Sequence, residues 1–161
     1  MTPAEVGILA DTEVRATRSF AESVGLVWKS FTEPELVRRW MLGPPGWSMP
    51  VCEMDFRVGG KYEWRWRNDN DGKEFGFVGE VRAIEMQARI VHTEKYQAGS
   101  SGESMADETT VAITFREVSG ITTVATSIKY SSKEDRDAAL ASGMTDGMEM
   151  GYCNLDEVLS S

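Results

Sequence analysis

Residues 55–69, "DFRVGGKYEWRWRND", decide the fold. Beyond the Gly59–Gly60 pair, Tyr62, Trp64 and Trp66 fall on every second position, with Lys61, Glu63, Arg65 and Arg67 between them. Side chains along a strand alternate between its two faces, so this spacing predicts one aromatic and one charged face. The charged face belongs to solvent and the rings point inward. Three inward rings are either packing or the wall of a binding space. Aromatic side chains stabilise folds unaided, yet Tyr O–H and Trp N–H need partners once buried.

The neighbouring segments extend the pattern. "VCEMDF" (51–56) alternates, and "NDNDG" (68–72) reads as a hairpin turn with an Asp-Gly step. "EFGFVGEVRAIE" (74–85), "ARIVHTEKYQ" (88–97), "ETTVAITFREV" (108–118) and "ITTVATSIKY" (121–130) are further strands, with a polar loop at 98–107. Upstream, residues 1–11 read as a loose arm and "TEVRATRSF" (12–20) as a first strand. "AESVGLVWKSF" (21–31) and "TEPELVRRW" (32–40) are short helices, the second with Thr32 and Glu35 spaced as a capping box. "MLGPPGWSMP" (41–50) is a Gly/Pro loop. Ser131 and Glu134 repeat the capping-box spacing before "SSKEDRDAALASG" (131–143). A longer terminal helix then carries Met144, Met148, Gly151, Leu155 and Val158 on one stripe. Hairpin-linked strands make an antiparallel sheet, and the terminal helix is its cover. The fold class is α+β: one domain over 12–161 behind the arm.

Bulk properties narrow the function. The 161 residues carry a net charge of −9, which opposes general binding to a nucleic-acid backbone. No apolar run is long enough to span a membrane, and the N-terminus lacks a basic start followed by an apolar block, so a cytoplasmic setting is expected. Cys52 and Cys153 form no CxxC pair and His92 is the single histidine, which leaves no Cys/His zinc set. "NDNDGKEF" has the composition of a calcium loop, but aligning it on Gly72 puts Arg67 and Val78 at ligand positions. There is no P-loop and no GxGxxG. Lys61, Arg65 and Arg67 form a basic stripe interrupted by Glu63, which reads as a solvated sheet face. His92 shares its strand face with Ile90, Glu94 and Tyr96. If that face looks inward, His92, Glu94 and Tyr96 make a polar patch in an apolar interior; in the other register they are solvent-exposed.

Four segments, "FTEPELVRRWMLGP", "DFRVGGKYEWR", "FGFVGEVRAIE" and "GMTDGMEMGYCNLDEVL", occur in an order and spacing that resembles the activator of heat-shock protein 90 ATPase homologue-like family. That family sits in the START/Bet v 1-like (SRPBCC) helix-grip superfamily, and the likeness spans residues 12 to 159. The chain departs from it at "FAES", where many members start the first helix with proline. The resemblance implies a curved antiparallel sheet of about six or seven strands gripping a long C-terminal helix, with two short helices after the first strand. It also implies a hydrophobic space between sheet and helix that takes lipid-like, polyketide-like or other aromatic small molecules.

On that fold the candidate ligand-binding residues are Tyr62, Trp64, Trp66 and Phe77 of the sheet, His92 and Tyr96 of the following strand, Met144, Met148 and Tyr152 of the terminal helix, and Trp40, Met41 and Trp47 around the Gly/Pro loop. The expected partner is a small apolar or aromatic molecule, with no cofactor, no metal and no catalytic residue assigned. A chaperone partner docking on the charged sheet face is one alternative, with binding that weakens in salt. A cyclase/aromatase-like enzyme with His92 or Tyr96 as proton carrier is the other. An exposed edge strand makes a homodimer an option beside the monomer.

Overall fold

The computed structural model describes residues 2–43, 45–98 and 107–161. In chain order the elements are β1 (Glu5–Ala10), β2 (Glu13–Phe20), α1 (Val24–Thr32), α2 (Pro34–Trp40), β3 (Trp47–Met54), β4 (Lys61–Asn68), β5 (Glu74–Glu85), β6 (Arg89–Ala98), β7 (Thr109–Val118), β8 (Ile121–Lys129), α3 (Lys133–Ala141) and α4 (Met144–Ser160). The strands form one eight-stranded antiparallel sheet in the order β1-β2-β8-β7-β6-β5-β4-β3. Strands β3 to β8 run as a continuous meander, and β2 returns to pair with β8. Ladder irregularities at Ser48/Val51 and Val81/Ala83 bend the strands, as extra residues in a ladder do.

Local chemistry fixes the turns on either side of β4. Gly59 has φ 85, and a Cβ at Gly60 would run into the Asp55 carbonyl, so both positions need glycine. Gly60 then accepts the Val81 N–H and Gly59 donates to Val81, at 2.8 Å each, locking the turn onto β5. At the other end the Asn68 side chain accepts the Asn70 and Asp71 N–H groups, shaping the β4–β5 hairpin.

The inner face of the sheet packs against α4. Along β2, Val14, Ala16, Arg18 and Phe20 are buried in strict alternation. Phe20 meets Tyr152 of α4 edge-on at 5.6 Å, and Leu155 lies fully buried in the same cluster with Val27, Trp28, Ile90, Phe115 and Val124. Arg18 is 3% exposed and holds α4 through bonds of 2.8 Å to Asp156 and 3.1 Å to Glu149. Its guanidinium also lies 5.0 Å from the Phe20 ring centre. The bond to Asp156, outweighing burial, holds Arg18 firmly charged. Burial works against the Glu149 carboxylate, yet donation from Arg18 and the Ala4 N–H keeps it below its usual range.

Several expectations are corrected. Eight strands are present, because residues 5–10, read within the loose arm, pair with β2 as edge strand β1. Trp47 belongs to β3, not to the preceding loop, and pairs with Asn68. Thr32 does not cap α2: its hydroxyl donates back to Trp28 O, and Glu33 is the cap, extended because Pro34 follows it. The α3 cap is Ser132, whose hydroxyl accepts the Asp135 N–H, one residue later than the sequence spacing suggests. Arg65 is buried at 7% exposure, not solvated. Its stem lies across Gly76, and its guanidinium reaches Glu74 and Gln97. Cys52 is buried and Cys153 exposed, both as free thiols. The polar loop read at 98–107 lies outside the described residues over 99–106, as does Pro44 of the Gly/Pro loop. No helix among the described residues is long and apolar enough to cross a membrane.

Candidate ligand-binding site

The three rings of β4 meet three different ends. Trp66 stacks on Phe75 at 5.2 Å and joins a second cluster with Val37, Met49 and Cys52. Its indole N–H donates to Met41 O at 2.7 Å, so Trp66 is satisfied packing. Tyr62 is 5% exposed, and its ring lies over Gly79 of β5. A Cβ at Gly79 would strike both that ring and the Thr93 carbonyl, so glycine is what lets Tyr62 reach β6. There the Tyr62 hydroxyl donates to Thr93 O at 2.6 Å. Trp64 lies 4.6 Å from Tyr62 and 6.3 Å from His92, ring centre to ring centre. Its indole N–H is buried with no hydrogen-bond partner.

The face of β6 that carries His92 looks inward. Ile90 lies in the core, His92 is 6% exposed, and Glu94 and Tyr96 follow on the same side. His92 Nδ1 sits 3.0 Å from both the Tyr62 hydroxyl and Thr93 O. Because the Tyr62 proton is spent on Thr93 O, the Tyr62 oxygen accepts from Nδ1–H. This assignment leaves Nε2 as the unprotonated nitrogen. Burial lowers the His92 pKa, against the opposing bond to the Thr93 carbonyl, and so keeps the ring neutral at pH 7.

Glu94 completes the group. It pairs with Thr109 of β7, and Thr110 pairs with Lys129, which brings Tyr130 in beside Thr109. The Glu94 carboxyl has neither an ion pair nor a hydrogen bond among the described residues. Burial pushes it up to about 7, so near neutrality it exists in both forms and can donate or accept. Burial and then Glu94 push Tyr130 up to about 12, and burial, Glu94 and Glu108 raise Tyr62. The Tyr130 hydroxyl points at the Met144 sulfur, 3.5 Å away, at the start of α4. The site thus presents one buried N–H donor, one free ring nitrogen and one unpaired carboxyl among aromatic walls.

The family model described as "Activator of Hsp90 ATPase homolog 1-like protein" matches residues 22–160. The chain belongs to this family. Its helix-grip sheet and terminal helix agree with solved structures. A Rhodobacter sphaeroides protein is 30% identical, with 97% of each chain covered and a TM-score of 0.87. A Nitrosomonas europaea protein is 25% identical over 95% of this chain and 97% of its own, with a TM-score of 0.80. A Mycobacterium smegmatis protein is 23% identical over 98% and 97%, at TM-score 0.85, a likeness of fold. No curated protein matches.

Within this family member, the other residues singled out from sequence divide between packing and the polar group. Trp40 is core: its indole donates to Ser30 O at 2.8 Å, and it stacks on Tyr152. Met41 is half-buried and packs on both clusters, while Trp47 meets Phe75 edge-on. Phe77 and Tyr96 lie 5.6 Å apart on the inner face, with Tyr96 at the exposed margin. Met148 packs on the first cluster. The sequence places Glu94 in a polar patch with His92 and Tyr96 if that face looks inward, and it gives no role to Tyr130 or Arg18. The available signal was parity: Arg18 falls on the Val14–Ala16–Phe20 face and Glu94 on the Ile90–His92 face. On the outer face, an open groove of about 550 Å³ is lined by Lys61, Glu63, Glu80, Lys95 and the edge of Tyr62.

Proposed function

We propose that this domain binds a small apolar or aromatic molecule between the inner face of the sheet and the N-terminal half of α4. The molecule presents an acceptor atom to the Trp64 indole N–H. That unpartnered buried donor carries the reading. A buried N–H without a partner costs about 1–3 kcal/mol, so a group that restores the bond binds with that advantage. Apolar surface covered by Tyr62, Trp64 and Met148 adds roughly 25 cal/mol per Å² before binding costs. His92 Nε2 is a second point of polar contact. Charges on the outer face favour this reading over a salt-sensitive docking surface, because Arg65 is already matched to Glu63 and Glu74, and Arg82 to Glu80.

The test is a titration with 6-propionyl-2-(dimethylamino)naphthalene, a neutral aromatic probe whose carbonyl oxygen can accept the Trp64 N–H and whose emission shifts in apolar surroundings. Saturable one-to-one binding, weakened about tenfold in a folded Trp64→Phe variant, is expected. Absence of saturable binding, or equal affinity in the two proteins, would overturn the proposal.

A further inference from the structure

We propose that the interior site selects an apolar molecule that carries a protonated amine, with Glu94 as its counter-ion and the rings of Tyr62, Trp64 and Tyr130 as its aromatic wall. This rests on the binding reading above and specifies the ligand class. Three observations on separate elements converge. First, the Glu94 carboxyl stands on the inner face without a hydrogen-bond or ion-pair partner among the described residues. Glu94 is half-buried, and a half-buried carboxyl without a partner is matched by a hydrogen-bonding cation. Second, the nearby side chains are aromatic: Tyr62 and Trp64 lie together on β4, and Tyr130 follows β8. Ring faces attract cations, most strongly where water is excluded. Third, no cation among the described residues pairs with Glu94. Arg18 is committed to Asp156 and Glu149 further along α4, and His92 is buried with Nδ1 tied to Tyr62 and Thr93. The titratable groups on the Glu94 face are therefore Tyr62 on β4, His92 and Tyr96 on its own strand and Tyr130 after β8. Glu108 and Lys95 lie on the outer face, where they line the open groove. Tyr130 in turn points at the uncharged Met144 of α4.

The geometry also accounts for both unpartnered groups at once. An amine hydrogen satisfies Glu94, while an oxygen or ring face elsewhere on the same molecule meets the Trp64 N–H. Anionic amphiphiles such as fatty acids are disfavoured, since their carboxylate would stand against Glu94.

The experiment compares n-octylamine, n-octanol and octanoate, three probes with one alkyl chain length, by calorimetric titration at pH 8 on the full chain and its Glu94→Gln variant. Octylamine is expected to bind at least tenfold more tightly than octanol, and octanoate more weakly than either. In Glu94→Gln the advantage of the amine over octanol is expected to fall to within twofold. Octanol or octanoate binding as tightly as octylamine to the natural chain would overturn the amine inference while leaving the binding site standing. An amine preference that survives Glu94→Gln would equally overturn it. Failure of all three probes to bind would overturn this inference and the binding reading together. The comparison on the natural chain stands whether or not the variant folds.

Discussion

The two halves of α4 face the same sheet and do opposite things with their polar groups. In the C-terminal half, Leu155 and Tyr152 sit in a filled cluster, and the polar side chains there are tied to partners, Arg18 through both terminal nitrogens although its buried Nε has none. Arg18 is pinned between Asp156 and Glu149, and the Trp40 indole is bonded to Ser30 O. In the N-terminal half, Met144 meets the Tyr130 hydroxyl, and on the sheet the Trp64 N–H and the Glu94 carboxyl have no partner among the described residues. One end is a clamp, and the other is the proposed receptor. The lesson is that aromatic content does not distinguish the two ends, since both are rich in rings. The fate of each ring's polar atom does.

That contrast can be broken by substitution. Leu155 is wholly buried, so Leu155→Ala should lower the unfolding free energy by about 2–5 kcal/mol in urea denaturation. A loss below about 1 kcal/mol would show that the clamp end is loosely packed. Arg18→Met should cost about 3 kcal/mol, because it strands two carboxylates beside α4. Their partial exposure allows some rehydration, which keeps the loss at the low end of what breaking a buried pair costs. A neutral outcome would mean that the helix is held by its apolar stripe alone.

At the receptor end the signs change. Glu94 has its pKa raised in the folded state, from an ordinary 4.5 up to about 7. The folded chain therefore holds this proton more tightly than the unfolded chain. Its stabilising effect is complete below about pH 4.5 and is lost as pH rises through about 7. Glu94→Gln should accordingly gain about 3 kcal/mol over the natural chain at pH 8 and nothing at pH 4. Thermal unfolding of both proteins across that range checks it, and a constant difference would refute it. His92 runs the other way: its lowered pKa costs stability as pH falls below its ordinary 6.5. The smallest effect belongs to Trp64→Phe, which removes an unsatisfied N–H along with some ring area. Stability should change by less than about 1 kcal/mol even though ligand affinity falls tenfold. Trp64 packs beside Trp66 on the second cluster, so a large loss of stability would mean that this packing is its main role.

The sequence carried the frame of this picture. Period-two spacing at 61–67, the Gly59–Gly60 turn and the apolar stripe of the last helix located the sheet, its inward face and its cover. What lay beyond the sequence were the partners of polar atoms. Trp40, Trp64 and Trp66 look alike in a strip of letters. They differ because Ser30 O and Met41 O, backbone carbonyls set by the packing of α1 and α2, reach two of the indoles and not the third. The inward register of His92 was undetermined because both faces of β6 contain polar residues, and Tyr62 crossing Gly79 to Thr93 is what anchors it. Strand β1 was read as an arm because six residues with scattered exposed apolar positions, such as Ile8 and Leu9, show no clean alternation.

The five tryptophans offer the most direct test of the account. A proton–nitrogen correlation spectrum separates their indole N–H signals, and single Trp→Phe variants assign them. On titration with octanol, whose hydroxyl oxygen can accept the indole N–H, the Trp64 signal should move and saturate, while those of Trp40 and Trp66, already bonded to backbone carbonyls, stay in place. Movement confined to Trp40 and Trp66, or no movement at Trp64 at saturating probe, would contradict the assignment of the receptor end.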